Sequence, residues 1–350
     1  MQKNWRKAKT FAASTWASRP DGEKLTVPKI DTRVWLIIIA AVAFVALAYL
    51  PTIIREGDIG FALTDVFLYE AMINGLLLGG VLALLSLGLN LIFGVIDVVW
   101  ICYAEIVMLG MYTIYYFHNE FGMPLLVAMP SGIAITSILG YGVHKLVIRH
   151  LLDSAPINQL LATGGLLFFF QSMATILFGI EFKNVGVTLG SFPLTEDIFI
   201  SGSRMAAFAI AVVCVGGLFL FLNRTFMGTA IRAISQDREI MTLMGVQQNK
   251  LYLVTSAIGG GLAGLAACLL VLQYDIHPFV GLSFGPITFM ICVLGGLGNM
   301  IGGFIAAFIF SELISLGGYH FDLEWGYVFA FVFFIAMMFV RPEGLLGKRS

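Results

Sequence analysis

The feature that most constrains this chain is a nearly unbroken series of long apolar segments separated by short polar stretches. Most are about 20 residues long, the length that an α-helix needs to cross the hydrocarbon core of a bilayer. Only 12% of the residues are charged, about half the share usual in soluble domains. The sequence therefore predicts an all-α polytopic membrane helix bundle of about ten transmembrane segments within residues 34–350. The segments lie at about 34–54, 71–94, 98–117, 124–142, 157–179, 205–222, 251–274, 282–296, 300–316 and 326–340.

The placement of basic residues sets the orientation of these segments. Seventeen of the 20 Lys and Arg residues fall within 1–33, 143–156, 223–250 and 341–350, whereas the opposite loops hold only Arg55, Lys183 and Arg204. Cytoplasmic loops of membrane proteins carry an excess of Lys and Arg. We therefore expect a multi-pass protein of the bacterial inner membrane with both termini in the cytoplasm, residues 1–33 forming a basic cytoplasmic tail.

Several classes of function lack their usual signals. A Gly-rich phosphate loop with a Lys-Ser/Thr pair is missing, so we do not expect the chain to hydrolyse ATP itself or to hold a cofactor. No His pair, paired acids or nucleophile–base spacing suggests an intramembrane enzyme, and no nucleic-acid signature is found. The cysteines are interpreted as small apolar residues rather than metal ligands or disulfide partners. These are Cys102, Cys214, Cys268 and Cys292.

Polar side chains inside the apolar segments are candidates for function. Such groups are costly in a membrane and usually face a cavity or a partner. Glu105 lies near the start of segment 98–117, and we expect it and Asp97 to flank a short turn on the inner side. Asp97 itself is interpreted as a solvated turn residue, and Glu312 as a rim residue that snorkels. Thr163 and Gln171 either line a path or form hydrogen bonds between helices, and spacing alone does not separate the two.

Glycine marks three places where helices are expected to approach closely or to break. Gly75 and Gly79 form a GxxxG pattern, and residues 259–264 open another segment with four glycines. Such pairs are typical of tight helix contacts and of transporter repeats, although membrane helices are rich in glycine in general. Segment 282–296 is short and ends in glycines, which predicts a tilted or broken helix beside a cavity.

The longest polar interruption is residues 223–250, where we predict a short helix. Ser235 is a plausible N-cap, Asp237 and Glu239 would lie in the first turn, and Gly245 would end the helix. A helix of about nine residues is marginal in water unless it packs on something. We therefore expect it to dock on another protein. Its apolar face would consist of Ile240, Leu243 and Met244.

Several motifs together resemble the LivH-type permease of branched-chain amino acid ABC importers, over about residues 71–348. The resemblance implies a type II-like ABC importer permease architecture. It also implies a second permease subunit (LivM-like, or a second copy of this chain), two ATP-binding subunits and a periplasmic substrate-binding protein. The motifs, in family order, are SLGLNLIFGV (86–95), Glu105 with Met108-Leu109-Gly110, LLATGGLLFFFQ (160–171), RAISQDREIMTLMGV (232–246), VLGGLGNMIGG (293–303) and VRPEGLLG (340–347).

The resemblance also gives roles to individual residues. Glu239 and Gly245 have the spacing of the cytoplasmic coupling loop that docks on the ATPase in such permeases, with Ile240 and Met241 where alanines are usual. The resemblance then implies that residues 223–250 transmit motion across that interface. The predicted ATPase-coupling residues are Arg232, Asp237, Arg238, Glu239, Met241 and Gly245. The predicted residues of a mainly apolar translocation path are Asn90, Glu105, Thr163 and Gln171.

One departure from the family pattern leaves the substrate open. Family members commonly have Asn-Phe-Ala-His-Gly before the glutamate, and here the run is Trp100-Ile101-Cys102-Tyr103-Ala104. We expect a permease subunit that moves branched-chain or other hydrophobic amino acids by alternating access. A permease for urea or short amides shares the motifs and is the alternative within the class. An ion-coupled secondary transporter is the alternative outside it, but it needs ion ligands near the midplane and leaves 223–250 without a purpose.

Overall fold

A computed structural model describes residues 66–187, 190–195, 198–236, 238, 241, 244, 246–320 and 323–346. The basic tail 1–33 and the first apolar segment, 34–54, lie outside the described residues. The helices are α1 Val66–Ile96, α2 Tyr103–Tyr115, α3 Leu125–Val143, α4 Pro156–Phe178, α5 Gly202–Arg224, α6 Phe226–Ile234, α7 Gln248–Leu270, α8 Val280–Gly295, α9 Met300–His320 and α10 Leu323–Val340.

Some short elements extend or connect these helices. A π-helical turn, Tyr116–Glu120, continues α2, and a second, His144–Ile148, carries α3 on to Arg149–Leu151. Strands β1 Ser191–Thr195 and β2 Ile198–Ser201 form an antiparallel hairpin between α4 and α5. The hairpin is the one sheet among the described residues, and the non-helical residues 179–187 before it form an isolated bridge between Lys183 and Ile276.

The observed helices confirm the predicted all-α multi-pass membrane bundle. Nine of the ten apolar segments coincide with a described helix, and the tenth is segment 34–54, so the total of ten is not tested. Within the described part of the chain, six helices are long and apolar enough to cross a membrane, and α8 and α10 are apolar but shorter. The six are Phe67–Ile96, Leu125–Leu151, Pro156–Phe178, Gly202–Arg224, Gln248–Leu270 and Met300–Tyr319.

Helix α1 is the centre of the bundle. It packs against α5, α7, α8 and α9, and every residue from 79 to 92 is buried. A helix that is apolar on all sides is typical of the interior of a bundle, since a surface helix keeps one polar or lipid-exposed face. Helices α3 and α4 form a second layer, α3 on α7 and α2, and α4 on α2, while α10 packs on α9.

Glycines allow the closest helix contacts. Gly75 and Gly79 of α1 lie against Glu312 and Ser311 of α9, so the close approach predicted from the GxxxG pattern is confirmed. Glu312 therefore packs between two helices, whereas it was expected to snorkel at the rim. Helices α3 and α7 cross at Gly140 and Gly260, where a methyl group on either glycine would stand 3.0 or 3.1 Å from the Cα of the other. Close backbone approach of this kind is a main source of helix association in lipid.

The loops fall into two groups, one at each end of the bundle. The members of each group are those that the distribution of Lys and Arg assigned to the same side. At one end, Asp97 after α1 meets Arg238 of the 223–250 stretch, and Leu345 near the C-terminus bonds to Leu294. The opposite end joins loops that were all assigned to the other side. Those contacts are Lys183 with Ile276, Asn184 with Asp275 and Arg204 with Asn74.

Candidate transport path and coupling surface

Residues 97–102 form a non-helical segment that runs up inside the bundle from the end of α1. It starts at Asp97, which has a positive φ of 62°. The Thr163 hydroxyl of α4 lies 3.1 Å from the Val99 carbonyl oxygen, and Gln171 of the same helix donates to Glu105 at 3.0 Å. At 1.5 Å per residue, Thr163 and Gln171 lie about 10 Å and about 22 Å along α4 from its start.

Glu105 therefore lies deep in the bundle, about 20 Å from the end where α1 stops. The expectation that Glu105 and Asp97 flank one short inner turn is wrong, because helix α2 begins only at Tyr103. Val98, Val99 and Trp100 are apolar, so their composition resembled that of a helix, but their backbone is not helical. Non-helical backbone at membrane depth is tolerated only where protein or a cavity surrounds it. Here protein covers part of it, since Val98, Trp100 and Cys102 are buried, whereas Ile101 is 39% exposed.

Helix α8 is the second interrupted helix, and its start meets the start of α2. It has 16 residues, Val280–Gly295, so it is as short as segment 282–296 indicated, and the predicted cavity beside it stays a prediction. Gly281, in its first turn, packs directly against the Glu105 carboxyl group, where a methyl group would overlap the carboxyl oxygens. The N-terminal turns of α2 and α8 thus converge on one carboxyl group.

The Glu105 carboxyl group is fully buried and only half satisfied. Its Oε1 accepts the hydrogen bond from Gln171, while Oε2 has no hydrogen-bond partner among the described residues. A buried acceptor without a donor costs free energy, more so if it is charged. Positive helix N-termini favour negative charge beside them, and two such ends are present here. The arrangement can hold a carboxylate and offers one free acceptor to an incoming donor.

The other two predicted path residues contact backbone away from this carboxyl group. Asn90 of α1 accepts the Gly298 N–H at 3.1 Å through Oδ1, which fixes the turn between α8 and α9. The Thr163 hydroxyl lies 3.1 Å from the Val99 carbonyl oxygen of the 97–102 segment and equally close to the Gln159 carbonyl oxygen of its own helix. The structure thus brings Glu105 and Gln171 together and places Asn90 and Thr163 apart. Sequence reasoning did not single out Gly281, whose one signal was the short length of segment 282–296.

The first part of the 223–250 stretch is helix α6, which was not predicted. Thr225 is its N-cap, and its hydroxyl accepts the Gly228 N–H at 3.0 Å. Ile231 and Ile234 are buried on one face, whereas the Phe226 side chain is 70% exposed. Ser235, expected at the start of a helix, stands at the C-terminal end of α6 and donates to the Arg232 carbonyl at 2.8 Å.

The second part of the stretch touches the foot of the 97–102 segment. Asp237, Glu239 and Gly245 lie outside the described residues, whereas Arg238 and Met241 have helical backbone and Arg232 is exposed. The Val246 N–H donates to the Met241 carbonyl at 3.2 Å, a bond typical of a helix end. The Arg238 guanidinium lies 3.7 Å from the Asp97 carboxylate. The predicted coupling loop is therefore tied to the segment that leads to Glu105.

The part of the chain that contains these sites resembles known proteins. The sequence model of a family described as "Branched-chain amino acid transport system / permease component" matches residues 71–338. The chain belongs to this family. The matched range covers both interrupted helices, Gln171 and the whole 223–250 stretch.

Individual relatives match over most of their own length. The permease protein BraD of a high-affinity branched-chain amino acid transport system of Pseudomonas aeruginosa is 28% identical over 293 residues, 80% of this chain and 95% of BraD. The corresponding protein LivH of Salmonella typhimurium is 27% identical over 305 residues, 82% of this chain and 98% of LivH. LivM of the same organism is 23% identical over 367 residues, 93% of this chain and 78% of LivM.

The run that departs from the family pattern, Trp100–Ala104, is where this permease fills the space around α2. At most 1% of the surface of each of Trp100, Cys102 and Tyr103 is exposed. The Tyr103 hydroxyl donates to the Gly259 carbonyl of α7 at 3.2 Å and occupies the space beside Gly88 of α1. Tyr103 thus packs between α1 and α7, whereas the Trp100 indole N–H is buried without a hydrogen-bond partner among the described residues.

We expect the positive φ of Asp97 to matter more for the stability of this permease than its ion pair with Arg238. Asp97→Val should lower the free energy of unfolding by about 1–2 kcal/mol, because a β-branched side chain is strained in the left-handed region. Asp97→Asn tolerates that backbone and loses only a partly exposed ion pair, worth about 1 kcal/mol or less. Thermal unfolding of the purified permease measures both variants. Equal losses would mean that the ion pair, not the backbone, carries the effect.

Proposed function

We propose that this chain is a permease subunit of an ATP-driven ABC importer that moves branched-chain amino acids across the bacterial inner membrane by alternating access. The observation that carries the proposal is the family match over residues 71–338. The nearly complete coverage of BraD and LivH supports it, since a shared domain alone would leave most of those proteins unmatched. The apolar bundle with few buried polar groups suits a path for apolar side chains.

The partners follow from the same proposal. The chain pairs with a second permease subunit, either a LivM-like relative or a second copy, and the likeness to both LivH and LivM supports such a pair. Two ATP-binding subunits dock from the cytoplasm and carry the only nucleotide that the assembly uses. A periplasmic substrate-binding protein delivers the amino acid and supplies most of the selectivity. Both termini of this chain lie in the cytoplasm.

The 223–250 stretch is the proposed coupling loop for the ATP-binding subunits. Exposed Phe226, Met227 and Met244 form the apolar part of the docking surface. Arg232, Arg238 and Met241 lie in the same stretch, together with the undescribed Asp237, Glu239 and Gly245. The Arg238–Asp97 contact supports a route by which motion of the loop reaches the foot of the 97–102 segment.

Uptake by the complete transporter tests the proposal. The chain, its partner permease and the ATPase subunits are co-purified and reconstituted in liposomes that contain ATP, with the binding protein outside. We expect uptake of radiolabelled leucine that requires ATP hydrolysis. ATP-driven uptake of urea without leucine uptake would show that the substrate is urea and not an amino acid. Uptake that is driven by an ion gradient without any ATPase would overturn the assignment as an ABC importer. Glu239→Ala, at the centre of the coupling loop, should reduce uptake while the complex still assembles.

A further inference from the structure

The transport bundle contains two acids whose carboxyl groups have a buried oxygen without a partner in the described part of the chain, Glu105 and Glu312. They differ in their surroundings. Glu312 lies in the α1–α9 contact and keeps part of its side chain exposed. Glu105 is fully buried where α2 and α8 begin, the two helices that start inside the bundle. Only Glu105 therefore combines an unused acceptor with a break in the membrane helices.

The geometry around Glu105 selects the chemistry of a ligand. Its Oε1 is already held by the Gln171 amide, so the unpartnered Oε2 calls for a hydrogen-bond donor. The N-terminal turns of α2 and α8 together carry about one positive charge, which offsets the Glu105 carboxylate, so a substrate carboxylate there is balanced by the ammonium group that arrives with it. A zwitterion carries both an ammonium donor and a carboxylate. Neutral urea offers donors but no negative group.

We propose that Glu105 and Gln171, at the converging starts of α2 and α8, form a binding site in the transport path for the zwitterionic head of an amino acid. Glu105 Oε2 accepts a hydrogen bond from the substrate ammonium group, and the substrate carboxylate lies at the helix N-termini. Gly281 covers the carboxyl group in the described conformation, so the site opens when α2 and α8 separate. This inference rests on the proposed importer function and names the element of the path that handles the substrate.

Substitution of Glu105 tests the site in the complete reconstituted transporter. Glu105→Gln keeps the shape of the side chain but replaces one acceptor oxygen with a donor NH2 group. We expect ATP-driven leucine uptake to fall about tenfold or more, the effect of losing a charge-assisted hydrogen bond. ATP hydrolysis stimulated by the loaded binding protein should stay within about twofold of wild type, since the coupling loop is unchanged. Glu312→Gln, the other buried acid, should retain uptake.

Substitutions of two glycines in α8 provide a second, independent test of the site. Gly281→Ala would push a methyl group into the Glu105 carboxyl group, whereas Gly285→Ala, one turn further on, would only bring a methyl group to 3.4 Å from the Ala104 Cβ. We expect leucine uptake to fall strongly for Gly281→Ala and to persist for Gly285→Ala. If Glu105→Gln fails to assemble, this pair and Gln171→Leu, which removes the amide donor, decide the question.

The possible results separate the two proposals. Wild-type complex that assembles but does not take up leucine would overturn the importer function and this site with it. Wild-type uptake together with unchanged uptake by Glu105→Gln or Gly281→Ala would overturn the site alone. Equal losses in Glu105→Gln and Glu312→Gln would also overturn it, because any buried acid would then have the same effect. Loss confined to Glu105, Gly281 and Gln171 variants, with ATP hydrolysis retained, supports the site.

Discussion

Alanine at Gly260 will lower the free energy of unfolding of the bundle by about 3 kcal/mol, the upper part of the range for overpacking a buried contact. A methyl group there would overlap the Thr136 carbonyl oxygen and stand 3.1 Å from the Cα of Gly140. Both neighbours are backbone atoms of α3, so no side chain can rotate away. Helices α3 and α7 would have to move apart, and the contacts along their crossing would loosen together.

Gly261 is the matched control for Gly260, since it is the next residue in the same helix. A methyl group at Gly261 would come no closer than 3.8 Å to Ser137, which is ordinary contact. Gly261→Ala should therefore be neutral, or stabilising by up to about 1 kcal/mol through helix propensity. Unfolding of the purified protein in mixed micelles measures both variants. No loss for Gly260→Ala would show that the α3–α7 crossing is looser than its geometry implies, and an equal loss for Gly261→Ala would show that the effect does not come from the crossing.

The same pair of glycines shows what the sequence could and could not reveal. The run 259–264 was recognisable as a place for close helix packing, because glycine removes the side chain that keeps backbones apart. Which glycine faces which helix depends on how α7 is rotated in the bundle, and that is set by tertiary contacts. Gly259 faces α1, Gly260 faces α3 and Gly261 has open space around it.

Helix positions were predictable wherever hydropathy and helical structure coincide. Segment 157–179 corresponds to Pro156–Phe178 and segment 300–316 to Met300–His320, within a few residues. The prediction was wrong at residue 98, since hydropathy reports burial and does not distinguish a buried irregular segment from a buried helix. Helix α6 was missed because it is short and lies within a stretch that its polar flanks mark as a loop, although six of its nine residues are apolar.

The individual residues of the candidate site could be predicted from the sequence, but their contact with each other could not. Glu105 and Gln171 stood out because polar groups are rare in apolar segments. Their contact spans 66 residues of chain and depends on the late start of α2, which no local pattern predicted. Asn90 and Thr163 stood out for the same reason, yet both contact backbone carbonyl or amide groups of nearby turns. The coupling roles of Asp237, Glu239 and Gly245 stay predictions.

Valine at Gly228 will uncouple the permease from its ATPase subunits while leaving the transmembrane bundle folded. A side chain at Gly228 would overlap the Leu222 Cα and the Phe221 carbonyl oxygen in the last turn of α5. Helix α6 would then have to swing away from α5, and the Thr225 cap that holds their corner would be lost. The proposed docking surface on α6, with exposed Phe226, Met227 and Arg232, would leave its place.

Loss of interface anchors typically costs about 2 kcal/mol or more, about 30-fold in affinity, so we expect the Gly228→Val complex to lose its ATPase and its ATP-driven uptake. Co-purification of the ATPase and leucine uptake by reconstituted transporter measure the two losses, and gel filtration of the permease alone checks that the bundle stays folded. Gly216→Val is the control on α5, since no atom of the described chain lies within 4 Å of a side chain there. Wild-type uptake by Gly228→Val would remove α6 from the coupling surface, because no folded arrangement keeps both the corner and that side chain.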